Sequence, residues 1–424
     1  MSYLPRLADD RLAELFRDLP AVSIVGPRAC GKTTTALQLI PNIVHLDQKS
    51  VALAFRDDAD AALRAVGEPV LLDEWQNAPE VLGAVKRAVD AMPGAGRFLL
   101  TGSVTARLLT EQWPGTGRIT EVRMAPMTVR ELQAAGPATS IIDRLRSGDP
   151  AQLQPADGLA GSLDIGDYVA LAVRSGFPQV ADVSDKARVS WLESYRDQVV
   201  ARDSQFAGRD VNPDKFGRYL EALALHSATV TTTETLLAMT GVSRQTASTY
   251  EHLLERLYLT AAVPPWSSRR VQRLVKASKR LLVDAGLMAA IIGEDALGLL
   301  FDADLKGRIM ETFVAAQLRA ELPFAQSRAR LTHLRDSNGR REVDFLLEYA
   351  RGRVVGVEVK ASGSVTAHDA RHLVWLRDQL GESFAGGVVF HTGAFTRELG
   401  DRLVAAPIST CWASGRTSTA CPSR

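Results

Sequence analysis

Residues Gly26–Thr33 read GPRACGKT, directly after an apolar run (AVSIVG, 21–26) and directly before a helix-like stretch. A glycine-bent loop between strand and helix turns successive backbone N–H groups inward and cups a phosphate. Gly26 and Gly31 supply the bends without a Cβ in the way. Residues Pro27, Arg28, Ala29 and Cys30 line the cup, and Lys32 would reach the β and γ oxygens. The Thr33 hydroxyl would hold Mg²⁺, and Thr34 completes the nucleotide-binding stretch. The cofactors expected from this pattern are ATP and Mg²⁺.

The pattern occurs by chance, so its partners matter. PVLLDE (69–74) ends an apolar run on Asp73, suited to the Mg²⁺ shell, and on Glu74, suited to orienting the attacking water. LLTGS (99–103) places Thr101 and Ser103 at the next strand end as polar sensors of the γ-phosphate. No Asn-Lys-x-Asp guanine signature follows, which disfavours GTP. Arg118, in GTGRITE, is the leading candidate for an arginine finger, with Arg107 and Arg202 as others.

A second constellation lies at 231–259. Thr232 or Thr233 caps a short helix, Gly241 turns the chain, and Ser243 caps a second helix with Ala247, Tyr250, Leu253, Leu254 and Leu257 on one face. This predicts a helix-turn-helix whose exposed front, Arg244, Gln245, Thr246 and Ser248, could meet base edges or phosphates. Residues 263–283 follow with six basic residues and no acidic one. Folded as a hairpin, this segment would be a wing laying Arg269, Arg270, Arg273, Lys276 and Lys279 along double-stranded DNA.

A third lies near the C-terminus. Asp344 sits in REVDFLL, and Glu358 and Lys360 sit two apart in VEVKAS, hence on one face of a strand. Asp…Glu-x-Lys is the fingerprint of the PD-(D/E)xK nuclease fold, in which Asp344 and Glu358 would bind a metal and Lys360 would stabilise developing charge. Glu311 could add an outer ligand. The residues leave cleavage itself open.

These groups need elements to position them. Four short apolar runs (21–26, 42–47, 69–74, 97–103) alternate with helical stretches such as Thr33–Ile40 and Glu80–Ala91, which predicts a parallel sheet covered on both faces. Further runs at 342–349, 353–361 and 386–393 predict a second α/β unit. The stretch 136–165 reads as a linker or irregular excursion, and the chain from about Pro407 as a polar, frayed tail. The expected architecture is α/β throughout, in four parts. A P-loop NTPase core spans 1–165, a helical and winged-helix middle 166–300, a restriction-endonuclease-like α/β domain 301–406, and a tail 407–424.

Composition bounds the rest. At 424 residues the chain is too long for one ordinary core. Fifty basic against forty-nine acidic residues, net +1, exclude a general polyanion coat, so nucleic-acid contact would come from a local patch. Three scattered cysteines make no disulfide framework or zinc cage. No signal pattern or bilayer-length apolar run is present, and a cytoplasmic protein without membrane contact is expected.

DEWQNAPEVLGAVKRAVD, LLTGS and TGRITEVRMAPMTVREL resemble the prokaryotic AAA-type ATPases that carry a C-terminal domain called DUF4143. RSGFPQV (174–180), Arg202–Asp203, KRLLVDAGLMAAIIG (279–293) and the EVDFLL/VEVKAS pair extend the likeness over about residues 1–405. The resemblance implies ATP on Gly26, Gly31, Lys32 and Thr33, with Asp73 and Glu74 serving Mg²⁺ and water. It also implies a homo-oligomer as one arrangement. The enlarged stretch 136–165 and the tail depart from the family. The functional expectation is an ATP-driven enzyme or switch acting on DNA. The alternative is a non-catalytic, ATP-switched regulator of defence or toxin–antitoxin type.

Overall fold

The computed structural model describes residues 3–105, 115–134, 139–154, 163–202, 211–267, 277–336 and 339–412. The first sheet has strands β1 (Ala21–Val25), β2 (Ile43–His45), β3 (Val70–Asp73), β4 (Phe98–Gly102) and β5 (Thr120–Arg123), in the order β2-β3-β4-β1-β5, all parallel. Successive side chains of a strand face opposite ways, so one apolar run serves two cores. Val70, Leu72, Phe98 and Leu100 pack against Leu82 and Val85 of helix Val81–Ala91. Val22, Ile24, Leu71 and Leu99 pack on the other side with Leu12, Ala36 and Ile40. Parallel strands leave all C-terminal ends on one edge. That edge carries Gly26, Asp73 and Ser103.

The two helices expected within 231–259 form with the expected caps. Thr232 accepts from Thr235 N at 3.2 Å and starts helix Thr233–Thr240; Gly241 ends it at φ 66°; Ser243 accepts from Thr246 N at 3.1 Å and starts helix Arg244–Arg256. Ser243→Ala removes that cap and is expected to cost about 1 kcal/mol in unfolding free energy, measurable by urea titration. Strands β6 (Thr260–Val263) and β7 (Lys279–Leu282) then pair antiparallel. Arg280 fastens β7 to the second helix through Glu251 and to Thr231 O at 2.8 Å.

The C-terminal sheet contains β8 (Ala329–Arg335), β9 (Glu342–Tyr349), β10 (Val354–Lys360), β11 (Phe384–His391), β12 (Arg397–Gly400) and β13 (Leu403–Pro407). Their order is β12-β13-β11-β10-β9-β8, with β10, β11 and β13 parallel and the others antiparallel to their neighbours. Helix Arg371–Leu380 covers one face through Leu373, Leu376 and Leu380. Helix Ala303–Glu321 covers the other, inside an apolar core that also takes in Leu236, Tyr250 and Leu254. The middle and C-terminal parts of the chain therefore share one core across residue 300.

Two expectations fail here. Within 139–154 the chain is no loose linker: it forms helix Ile141–Ser147, buries Arg144 against Thr410 O at 2.6 Å, and receives the Tyr349 hydroxyl on Ile142 O at 2.7 Å. The chain past Pro407 is not frayed at its start, because Ile408, Cys411 and Trp412 are buried, Trp412 against Tyr168 and Phe313. Three apolar side chains in a Ser/Thr-rich stretch outweigh its average polarity. Among the described residues, no helix is long and apolar enough to cross a membrane.

Candidate nucleotide site

At Gly26, φ is 157° and an added Cβ would stand 2.2 Å from Met124 O, so only glycine lets the chain leave β1 here. Gly26→Ala is expected to destabilise the core by about 1–3 kcal/mol, seen as a lowered unfolding midpoint. Gly31 turns the chain at φ 97° into the helix that begins at Lys32. The loop is braced from outside its own sequence. Buried Arg6 donates to Cys30 O at 2.7 Å and to Ala125 O at 2.8 Å, and pairs with Glu131 at 2.9 Å. Tyr195 donates to Arg28 O at 3.3 Å. Cys30 is fully buried.

The chemistry-bearing side chains converge. Buried Lys32 folds its ammonium onto Pro27 O at 2.8 Å and Gly26 O at 3.2 Å. Thr33 Oγ1 donates to Asp73 Oδ1 at 2.7 Å, and Thr101 Oγ1 donates to the same oxygen. His45 Nδ1 lies 3.6 Å from Asp73 Oδ2. Glu74, at φ 56°, donates its backbone N–H to Thr101 at 3.2 Å. The Glu74 carboxylate accepts from Gln76, whose amide also bonds Ser103 Oγ at 3.0 Å. Gly102 leaves room for the Trp75 indole, which a Cβ there would meet at 2.2 Å.

Thr33, Asp73, Glu74, Gln76, Thr101 and Ser103 are thus one connected polar group at the open edge of the sheet, while Lys32 is bonded to the carbonyls of its own loop. Thr34 is exposed on the first turn beyond the loop. Sequence reasoning missed Arg6, His45, Gln76 and Tyr195. Gln76 lay inside the quoted DEWQN run, whereas nothing local marks Arg6. A hydroxyl and a carboxylate sharing one hydrogen bond beneath a glycine cup are hard-oxygen donors of the type Mg²⁺ takes alongside phosphate and water, so the residues fit Mg·ATP.

Arg118 is a correction. It precedes β5, whose far end, Arg123, is level with Val25; Arg118 therefore lies at the opposite edge of the sheet and pairs with Asp90 at 2.8 Å. It is not placed to reach phosphates held by its own chain. Arg107, Arg269, Arg270, Arg273 and Lys276, with the side chain of Arg202, lie outside the described residues.

Residues 18–133 match the AAA domain AAA_14, and residues 306–411 match DUF4143, a domain of unknown function. The chain therefore carries an AAA-type domain near its N-terminus and a DUF4143 domain near its C-terminus. Between the two, residues 165–298 match DUF8612, another domain of unknown function. Over 418 residues the chain is 24% identical to the uncharacterized protein Rv2008c of Mycobacterium tuberculosis, covering 97% of this chain and 85% of the relative. Mb2031c of Mycobacterium bovis matches with the same identity and coverage. The Walker-type ATPase PABY2304 of Pyrococcus abyssi is similar at a TM-score of 0.37 and 15% identity, over 68% of this chain and 96% of that one.

In the DUF4143 domain Asp344, Glu358 and Lys360 do come together, but with a fourth member. Lys360 Nζ bonds Glu358 Oε2 at 3.0 Å, and Asp344 Oδ2 accepts from Val359 N at 2.8 Å. Lys279, expected on a DNA-facing wing, is instead fully buried; it pairs with Glu311 and lies 3.8 Å from both Asp344 Oδ1 and Glu342. Burial disfavours its charge, but Glu311, Asp344 and Glu342 together outweigh that and raise its pKa. Burial and the Asp344 charge push both Glu311 and Glu358 up to about 8.

Among the described residues the Glu358 Oε1 oxygen has no hydrogen-bond partner, and it faces His372 at 3.8 Å. The Lys279 ammonium already stands beside Asp344 and the Lys360 ammonium beside Glu358, and among the described residues no group of three or more His, Cys, Asp or Glu is arranged to hold a metal ion. Asp344 and Glu358 as arranged here do not fit a divalent ion.

Proposed function

We propose that the protein is a Mg²⁺-dependent ATPase that acts on DNA through its helix-turn-helix. The hydrogen bonds of Thr33 and Thr101 to one oxygen of Asp73, beside Glu74, support this reading, because the side chains suited to metal binding, water orientation and sensing would then act together. Lys32 would hold the β and γ oxygens, while Thr33 and Asp73 would hold Mg²⁺, which offsets charge on the phosphates when bound. Glu74, held by Gln76, would orient the water and take its proton.

A route to the DNA-binding part is short. Two residues beyond Ser103, Thr105 donates its backbone N–H to Arg256 O at 3.1 Å, at the end of the second helix of the helix-turn-helix. A shift of the β4 end on hydrolysis would pull on that helix directly. At its other end Arg244, Gln245 and Ser248 are exposed, and Arg244 pairs only at the surface, with Glu234 at 2.5 Å. The test is the ATPase rate with and without duplex DNA. Stimulation by DNA that falls when Arg244 and Gln245 are replaced by alanine supports the reading; a rate indifferent to DNA contradicts it.

Lys279 favours a DUF4143 domain that binds without cutting. Supercoiled plasmid incubated with the protein and Mg²⁺ or Mn²⁺ is expected to stay intact. Metal-dependent nicking that disappears in Asp344→Ala would overturn that part of the reading.

A further inference from the structure

We propose that the cleft between β5, the end of the second helix of the helix-turn-helix and helix Ala303–Glu321 binds a phosphate-bearing ligand, beside the phosphate cup of the P-loop and in addition to it. The cleft has a volume of about 1010 Å³, at the upper end of the range for ligand pockets. Pro27, on the P-loop, forms part of its near wall.

Three arginines from three different elements face it: Arg123, Arg256 and Arg319. Among the described residues no carboxylate pairs with Arg319 or Arg256. Arg123 lies over the Tyr258 ring at 5.2 Å and reaches Glu121 only at 3.8 Å. Burial and the nearby Arg123 pull the Arg319 pKa down to about 10, still far above neutrality, so Arg319 stays charged. Tyr258 and Thr105 also line the cleft, and their buried Oη and Oγ1 have no hydrogen-bond partner among the described residues. Buried polar groups are paired in nearly all folded proteins, so several unpaired donors on one cavity wall point to acceptors that a ligand brings.

The chemistry of that ligand follows from the donors. Guanidinium forks and hydroxyls offer more N–H and O–H groups than the two oxygens of a carboxylate can accept, and they match a phosphate. Glu121 and Glu255 also line the cleft and limit the charge it tolerates. Burial raises the Glu121 pKa against the pull of Arg123, which weakens its opposition to an anion. Tyr258 is held at φ 60°, a conformation costly for a tyrosine and kept only where the surroundings enforce it. A phosphate fits this wall whether it belongs to a small phosphorylated molecule or to the end of a nucleic-acid strand.

The test uses the full-length Lys32→Ala chain, so that the P-loop contributes no phosphate binding. Calorimetric titrations with inorganic pyrophosphate and with a short single-stranded oligothymidylate separate the two sources. Binding of either probe, weakened about tenfold or more by adding Arg319→Gln and about threefold by adding Tyr258→Phe, is the expected result. Tyr258→Phe removes one oxygen and keeps the ring, so a folding defect does not account for its effect. Binding of neither probe, or affinities that both substitutions leave unchanged, overturns the proposal. Failure of the P-loop assignment would show differently: wild type and Lys32→Ala would bind Mg·ATP alike.

Discussion

Glu74→Gln is expected to leave Mg·ATP binding in place while lowering turnover by about 10²- to 10⁴-fold, the range that a positioned general base contributes. The amide keeps the size of the side chain, and its oxygen can still accept from Gln76, so the strand end should hold its shape. What it loses is the capacity to take a proton from the attacking water. None of the groups that would bind the phosphates or the metal, Lys32, Thr33 and Asp73, is touched, so KM should change far less than kcat. Steady-state kinetics with a matched binding titration checks this. Equal losses in affinity and turnover would mean that Glu74 holds the nucleotide rather than the water.

Lys279→Met is expected to destabilise the chain by about 3–5 kcal/mol, because removing one partner of a buried ion pair strands the other charges. Here Glu311, Glu342 and Asp344 would face one another without the ammonium between them. Adding Glu311→Gln to Lys279→Met removes a buried carboxyl left without its ammonium and should recover part of the loss. Urea unfolding of the wild type, the single and the double variants measures this. A Lys279→Met protein as stable as the wild type would show that the carboxylates have another way to be neutralised, and would reopen the metal reading of Asp344 and Glu358.

Lys279 also marks where the sequence was opaque. Its neighbours in 263–283 form a basic run, and a count of charges assigns all of them to one solvated, polyanion-facing surface. Strand period decides otherwise: Lys279 and Leu281 point the same way, and both are buried. Its three carboxylate partners come from a helix and a strand more than thirty residues further along the chain, so nothing local announces them. The same limit hid Arg6, which braces the phosphate loop through Cys30 and Glu131.

What was legible was local. GPRACGKT after an apolar run gives a loop whose shape glycine alone permits, and Thr232, Gly241 and Ser243 set their helix boundaries through bonds to residues three or four away. Strand β9 spans the apolar run EVDFLLEY end to end. Arg118 failed for a topological reason, because proximity to the β4 motif in sequence does not say at which edge of a parallel sheet a residue lies. Residues 408–412 failed because three apolar side chains were averaged into a polar stretch.

The most direct test of the central claim is calorimetric titration of Mg·ATP into the wild-type chain and into Lys32→Ala. One nucleotide per wild-type chain, with binding lost in the variant, is the expected result. No heat of binding to folded wild type, or equal affinity for both proteins, would contradict the assignment of residues 26–33 as the phosphate site.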